Sequence, residues 1–242
     1  MNKQNEWKIL RFDRLPSTND YAKSLRNEKI NLAVIAEEQS GGRGTKGRSF
    51  LSEKGGLYVS FLTFHENFPA KNAFFIMARA ATAVCKTLEK FGIYPKIKWP
   101  NDIYVSVKNS GEATDKKICG ILIENTFSGA FVDNSVVGIG VNIHNRLPDE
   151  LRSIATTARE VLGKELDLLQ VEKELFRALE TPFSMDEYTS RLGYLGAPVK
   201  LLVGDKTLSA IPCGVTERGE LIATVDGKNQ VFPSAEVSLR LD

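Results

Sequence analysis

Apolar and polar positions divide this chain into strand-like and helix-like stretches. Residues 32–36, Leu-Ala-Val-Ile-Ala, form a short unbroken apolar run, and residues 57–64 form another, rich in β-branched and aromatic side chains. Both read as strands. Residues 118–124 and 136–142 read as central strands separated by a turn near Ser128 and Gly129. Glycines inside both runs mark places where something must approach the backbone closely. Residues 93–99 and 103–107 read as paired strands joined across Pro100, Asn101 and Asp102, three turn-forming residues. A broad apolar stripe through Phe74, Met77, Ala81 and Leu88 predicts the strongest helix, over 72–91. A second amphipathic helix is predicted over 166–179, and Ser17 or Thr18 caps a short one over 19–26. The polar stretch 108–116 predicts a mobile loop.

Beyond Gly196 the pattern changes. Short alternating segments are broken at Gly204-Asp205, Arg218-Gly219 and Asp226-Gly227, the rhythm of consecutive hairpins. A main domain over 1–195 and a small β-rich domain over 196–242 are therefore expected, the second too small to be stable without packing on the first.

The strand at 32–36 leads into Gln-Ser-Gly-Gly-Arg-Gly-Thr-Lys-Gly-Arg-Ser-Phe at 39–50, with Arg43, Lys46 and Arg48 among its glycines. Glycines bring backbone N–H groups close to an anion, and Arg and Lys add charge-assisted hydrogen bonds. Gly42, Gly44 and Gly47 spell the dinucleotide fingerprint, and 42–49 is a near-miss P-loop with Arg48 in the lysine's place. Both motifs require a helix directly after the loop, whose N-terminus helps bind phosphate. Here a strand follows, which argues against both. The glycine content and like charges predict disorder of this loop without ligand.

Composition narrows the chemistry. With 32 Lys and Arg against 30 Asp and Glu, the charge balance gives no support for a dedicated nucleic-acid binder. Cys85, Cys119 and Cys213 lack C-x-x-C spacing, and His65 and His144 are the only histidines. A disulfide framework or a cysteine- or histidine-built metal site is thus not expected. Cys85 falls in the helical apolar run and reads as core. No apolar stretch approaches the ~20 residues of a membrane-spanning helix, and the polar start at 1–6 lacks a signal-peptide h-region. A cytoplasmic location is expected.

Four more segments can carry chemistry: Ser17-Thr18-Asn19; Lys98-Trp99-Pro100-Asn101-Asp102; Lys117-Ile118-Cys119-Gly120; and Gly138-Ile139-Gly140-Val141-Asn142. Singly each has a plainer reading: a helix cap, turn formers, a core tryptophan, a solvated strand-end charge. Together, with the glycine-rich loop and Glu-Val-Ser-Leu-Arg at 236–240, they closely resemble the biotin protein ligases over nearly the whole chain. The resemblance implies an α+β fold, with a mixed-sheet, class II synthetase-like catalytic domain, helices on one side, and a small SH3-like β domain.

It also implies ATP and biotin as substrates, Mg2+ with ligands unassigned, and a two-step ligation through biotinoyl-5′-AMP. The implied partner is a biotin carboxyl carrier protein domain of a biotin-dependent carboxylase, with no nucleic acid and no membrane; monomer and homodimer both stay open. By the same resemblance Ser17, Thr18, Asn19, Gln39, Arg43, Gly44, Thr45, Lys117 and Gly120 line the biotin site. Arg48, Phe50, Trp99, Asn101, Asp102 and Asn142 fall at the adenylate end, and Lys117, Arg48 and Arg43 are the catalytic candidates.

Two letters depart from the common family pattern. Phe50 stands where tryptophan is usual, and Thr45 where many relatives have arginine; Thr45 removes one cation near the reactive anhydride, so faster escape of the intermediate is expected. Some relatives carry an N-terminal helix-turn-helix. Ser17 lies too near the start of this sequence to leave room for one, so a ligase without operator binding is expected. The rivals are a lipoate or octanoate ligase, whose glycine-rich stretch resembles Arg-Arg-x-Ser-Gly-Gly-Gly, and a noncatalytic binding module.

Overall fold

The computed structural model describes residues 7–109, 112–234 and 237–240. Its main sheet is built from β1 (Lys8–Leu15), β2 (Leu32–Gln39), β3 (Leu57–Pro69), β4 (Lys96–Lys98), β5 (Asp102–Asn109), β6 (Glu112–Ser128) and β7 (Phe131–Val141). Their spatial order is β1-β2-β3-β7-β6-β5-β4, with β1 and β2 parallel and the remaining neighbours antiparallel. The predicted strand positions hold, most of them lengthened, whereas the strand expected over 93–99 shortens to Lys96–Lys98.

Side-chain alternation assigns the two faces. Ala33, Ile35, Val59, Phe61, Ile121, Val137 and Ile139 point into the main core. There they meet Ala78, Ala81, Val84, Cys85 and Leu88 of helix α2 (Phe74–Lys90); α1 (Thr18–Ser24) lies on the opposite face. Leu32, Val34, Ala36, Leu62 and Val136 point to α1 and surround Ala22. Thus β2 reads as a continuous apolar run because both its faces are covered. Helices therefore occupy both faces, not one, and the face carrying α1 also carries most of the candidate site residues. Each large aliphatic side chain fully buried in these cores contributes about 1.5–3 kcal/mol. Cys85 is core, as expected, and burial pushes its thiol pKa up to about 12.

Residues 108–116 differ from the expectation. Instead of a mobile loop they form the outer end of the β5–β6 ribbon, with Lys108 opposite Ala113 and Asn109 opposite Glu112; residues 110–111 lie outside the described residues. A two-stranded ribbon running past the core needs no apolar face, so its letters are polar. Asp115 nevertheless accepts from Ser106 and, at 2.9 Å, from Tyr194 Oη.

The helices α3 (Ala158–Leu162), α4 (Leu168–Glu180) and α5 (Met185–Ser190) follow the main sheet. The predicted second amphipathic helix is α4, and Arg11 of β1 forks onto its Glu172 at 2.6 and 2.7 Å. Strands β8 (Val199–Val203), β9 (Lys206–Val215), β10 (Leu221–Val225), β11 (Lys228–Phe232) and β12 (Val237–Arg240) make the hairpin-built C-terminal sheet, ordered β11-β10-β9-β8-β12. Its Leu201, Ala210, Leu221 and Ala223 are continuous with the main core. Of the motif at 236–240, Glu236 lies outside the described residues.

Candidate active site

The floor of the site is a pair of glycine rows. Gly120 of β6 lies opposite Gly140 of β7, flanked by Asp102 of β5 and Tyr58 of β3. Two neighbouring residues without side chains leave a trough, and the Phe50 ring lies in it. A Cβ on Gly140 would come within 2.6 Å of that ring, and one on Gly120 within 3.2 Å. One row further, Gly138 lies opposite Leu122 and Ser60, and a Cβ there would stand 2.1 Å from Asn19 Oδ1. The strand glycines are thus points of close approach, with α1 and the glycine-rich loop as what approaches.

One wall is the start of α1. Ser17 caps the helix, accepting from Asp20 N at 3.3 Å, while Thr18 and Asn19 are buried in a hydrogen-bonded chain. Gln39 Oε1 accepts from Thr18 N at 2.8 Å and from Thr18 Oγ1 at 3.0 Å, and Gln39 Nε2 donates to Ser52 Oγ at 2.8 Å. Ser60 Oγ donates to Asn19 Oδ1 at 2.6 Å and lies 2.7 Å from Thr18 Oγ1. Ser52 and Ser60, both buried, were not among the sequence candidates.

The glycine-rich loop forms the opposite rim. It joins β2 to β3, so no helix follows it and neither nucleotide fold applies. Its backbone forms a hydrogen-bonded hairpin. Gln39 N donates to Ser52 O at 3.0 Å, Phe50 N to Gly42 O at 2.9 Å and Gly44 N to Arg48 O at 2.6 Å. Lys46 and Gly47 turn the chain at positive φ, 57° and 72°. Gly42 is required by space: a Cβ would meet Phe50 O at 2.3 Å.

The cations are not all turned inward. Arg43 Nη2 lies 2.7 Å from Asp20 Oδ1 and 3.0 Å from Glu124 Oε2, so two carboxylates of the protein balance its charge. Burial alone would raise the Asp20 pKa, but the Lys23 hydrogen bond and the charges of Lys23 and Arg43 lower it overall. Arg48 folds back, donating through Nε to Thr45 O at 3.2 Å and through Nη2 to Thr45 Oγ1 at 2.9 Å. Lys117 sits 2.6 Å from Asp102 Oδ1 and 5.8 Å from the Phe50 ring centroid.

Together these elements enclose a cavity of about 250 Å³, lined by every sequence candidate except Trp99. Trp99 is buried in the core, 3% exposed, and donates through Nε1 to Gly219 O at 2.9 Å. Its expected place at the adenylate end is therefore corrected: the turn that follows β4, beside the cavity, carries it, but the side chain faces away toward the C-terminal sheet. Phe50 is also displaced from expectation, lying on the glycine trough assigned to biotin's apolar chain. Asn101 Nδ2 donates to Ile121 O at 2.7 Å, and Asn142 Oδ1 accepts from Asn145 Nδ2 at 3.2 Å.

The cavity also has a rim that sequence reasoning missed. Lys117 N donates to Ile154 O and Thr156 N to Lys117 O, both at 2.9 Å, which brings Leu147, Leu151, Ile154 and Ala155 to its edge. Lys98 reaches the wall too, its Nζ 5.0 Å from the Tyr104 ring centroid. Among the described residues Asp102 is the one carboxylate lining the cavity, and no group of three or more acidic, His or Cys side chains gathers to cage a metal. The walls thus pair hydroxyl and amide groups on one side with cations on the other, around a glycine floor. That suits a ligand with a polar head, a slim apolar body and an anionic end.

A family model described as the biotin/lipoate A/B protein ligase family matches residues 11–142. Among curated proteins, the bifunctional ligase/repressor BirA of Escherichia coli (strain K12) is 30% identical over 240 residues, covering 93% of this chain and 72% of BirA. The biotin–[acetyl-CoA-carboxylase] ligase of Paracoccus denitrificans is 30% identical over 223 residues, covering 84% of this chain and 88% of its own. Among solved structures, the biotin protein ligase from Aquifex aeolicus in complex with biotin and ATP matches with a TM-score of 0.79 at 29% identity. That match covers 97% of this chain and 99% of the other.

Proposed function

The chain belongs to the biotin/lipoate A/B protein ligase family, in its biotin protein ligase branch, and from that premise we propose that it joins biotin to protein. ATP converts biotin to biotinoyl-5′-AMP, and biotin then passes to a lysine of a biotin carboxyl carrier domain. The observation that carries this reading is the convergence of widely separated motifs, 17–19, 39–50, 101–102, 117–120 and 142, on one cavity. We take 1–195 as the catalytic domain and 196–242 as the small β domain packed against it.

In the first step a biotin carboxylate oxygen bonds to the α-phosphorus, the bond from that phosphorus to the bridging oxygen breaks, and pyrophosphate leaves with the electron pair. Two anions must approach within about 4 Å, which costs about 4 kcal/mol at an effective dielectric near 20. Lys117 and Arg48 are placed to offset that repulsion, Lys117 by exchanging Asp102 for the substrate anion, Arg48 by turning from Thr45 into the cavity. Arg43 has a different part: it stays on Glu124 and Asp20 while its backbone closes over biotin. The apolar chain of biotin lies over Gly120 and Gly140, so Phe50 moves off the trough as substrate enters.

In the second step a lysine amine of the carrier attacks the acyl carbon, the amide bond forms, the amine loses its proton, and AMP leaves. No nucleophile from the enzyme is required. Magnesium fits this site as an ion brought on nucleotide phosphates, with Asp102 as its protein carboxylate, since Mg2+ is commonly held by one or two carboxylates plus phosphates. When bound it neutralises phosphate charge.

The test is exchange of radiolabelled pyrophosphate into ATP with biotin, lipoate or no acid added. Biotin-dependent exchange is expected. Exchange with lipoate alone would reassign the substrate, and binding without exchange would make this a noncatalytic module.

Thr45 gives a second measurable outcome. Its hydroxyl accepts from Arg48, whereas an arginine there would add a cation and release Arg48 toward the cavity. Thr45→Arg is therefore expected to slow escape of biotinoyl-5′-AMP in a filter-binding assay by about 10-fold or more, the scale of one added charge-assisted hydrogen bond. Equal release rates would refute it.

A further inference from the structure

Glu124 stands on β6 four residues past Gly120, on the same face of the sheet because side chains alternate. It does not line the cavity, yet three groups of the site converge on its carboxylate. Asn19 Nδ2 donates to Oε2 at 2.9 Å and Lys23 Nζ to Oε1 at 2.7 Å. Arg43 Nη2 lies 3.0 Å from Oε2 and 3.1 Å from Oε1. Asn19 and Lys23 belong to α1, the wall packed on the sheet; Arg43 belongs to the glycine-rich loop, the opposite rim.

We propose that Glu124 is a positioning residue that registers the glycine-rich loop against the α1 wall, an inference that rests on reading the cavity as the biotin site. Two consequences follow from one carboxylate. An ionised carboxylate only accepts, so it takes the NH2 end of the Asn19 amide and turns Oδ1 toward Ser60. The Thr18, Asn19 and Ser60 polar array is thereby set before substrate arrives. The same carboxylate holds Arg43 by charge, which keeps the backbone of 43–45 over the cavity rather than in solvent. Burial alone would raise the Glu124 pKa, but hydrogen bonds from Lys23 and Asn19 and the charges of Lys23 and Arg43 lower it overall, so the group stays ionised at neutral pH.

Glu124→Gln keeps the shape and an acceptor for Asn19 but removes one of the two carboxylate charges on Arg43 and Lys23, leaving Asp20, which belongs to α1 and does not tie the loop to the sheet. Trypsin, which cuts after Arg and Lys, is expected to cleave the unliganded variant within 43–48 about tenfold faster than the unaltered protein. The KM for biotin in pyrophosphate exchange should rise about tenfold with kcat changed less than about threefold, the scale of losing one charge-assisted hydrogen bond. Glu124→Asp, which keeps the charge on a shorter arm, should restore part of both effects. A lower melting midpoint with unchanged biotin KM and unchanged loop cleavage would mean a merely structural role and overturn the proposal. If Glu124→Gln fails to fold, Glu124→Asp carries the test: cleavage and KM both at unaltered values would overturn it. The trypsin arm needs no ligand. Accelerated cleavage in a protein lacking biotin-dependent exchange would uphold the latch and overturn the biotin reading instead.

Discussion

Replacing Lys117 with alanine is expected to lower biotin-dependent ATP–pyrophosphate exchange by about 10³-fold or more, the upper range for removing one preorganised group that stabilises transition-state charge. The Lys117 amine is paired with a carboxylate on the cavity wall, Asp102 at 2.6 Å, and its backbone is also locked, to Ile154 and Thr156. The backbone bonds survive the substitution, so the rim at 147–155 stays in place. What is lost is one charge, and with it the partner of Asp102, whose unpaired carboxylate costs about 1–3 kcal/mol of stability. Lys117→Ala should therefore melt a few degrees lower while remaining folded. Lys117→Gln, equally uncharged but longer, should exchange as poorly, since charge rather than volume is the missing quantity. Near-normal exchange in either variant would remove Lys117 from the chemistry.

The reach of the sequence reading follows from what each residue's surroundings demand. Strand β2 and helix α2 were legible because the core covers a whole face or more of each, which forces apolar letters at fixed spacing. Strand β1 has no counterpart among the predicted elements. It is an edge strand and most of its residues are at least partly exposed; Leu10, Phe12 and Leu15 pack beside α1, but charged letters interrupt them and Arg11 is held by an ion pair to Glu172. The 108–116 stretch misled for the same reason, a ribbon paired through its backbone with no core to face. Helix α3 did leave a signal, the Thr157-x-x-Glu160 capping box with Gly163 at its end, but at five residues it has no periodicity to support it.

Around the cavity, the motif residues were legible because several letters of chemistry stand side by side. Ser60 and Glu124 stand singly inside apolar strands, and only strand alternation combined with the position of α1 brings them to Asn19. Arg43 shows a further limit. The sequence offers a cation among glycines, but not the two carboxylates, Asp20 and Glu124, that hold it away from the anions it was expected to meet.

Trp99 is where motif and structure disagree most, and it supplies the other large effect. Trp99→Ala should destabilise the protein by about 3–5 kcal/mol, the usual cost of truncating a buried aromatic. For a chain of this length that is a fall of about 6–20 °C in melting midpoint. The ring packs in the core shared by the two sheets, and its N–H holds Gly219 O. That carbonyl belongs to a tight place: Gly219 has φ of 78°, and a Cβ there would meet Phe74 at 2.0 Å. Trp99→Phe fills most of the volume but leaves Gly219 O unsatisfied, and should cost about 1–3 kcal/mol. Because the side chain points away from the cavity, the KM for ATP of Trp99→Phe, measured well below its melting midpoint, should stay within about twofold of the unaltered protein. A residue stacked on the adenylate would behave in the opposite way, with stability nearly unchanged and the KM for ATP raised about tenfold, as loss of a stacking contact worth about 1–3 kcal/mol requires. Calorimetry and exchange kinetics on this single variant therefore decide whether the tryptophan of the Lys98–Asp102 motif joins the two sheets, as its geometry here requires, or touches the nucleotide.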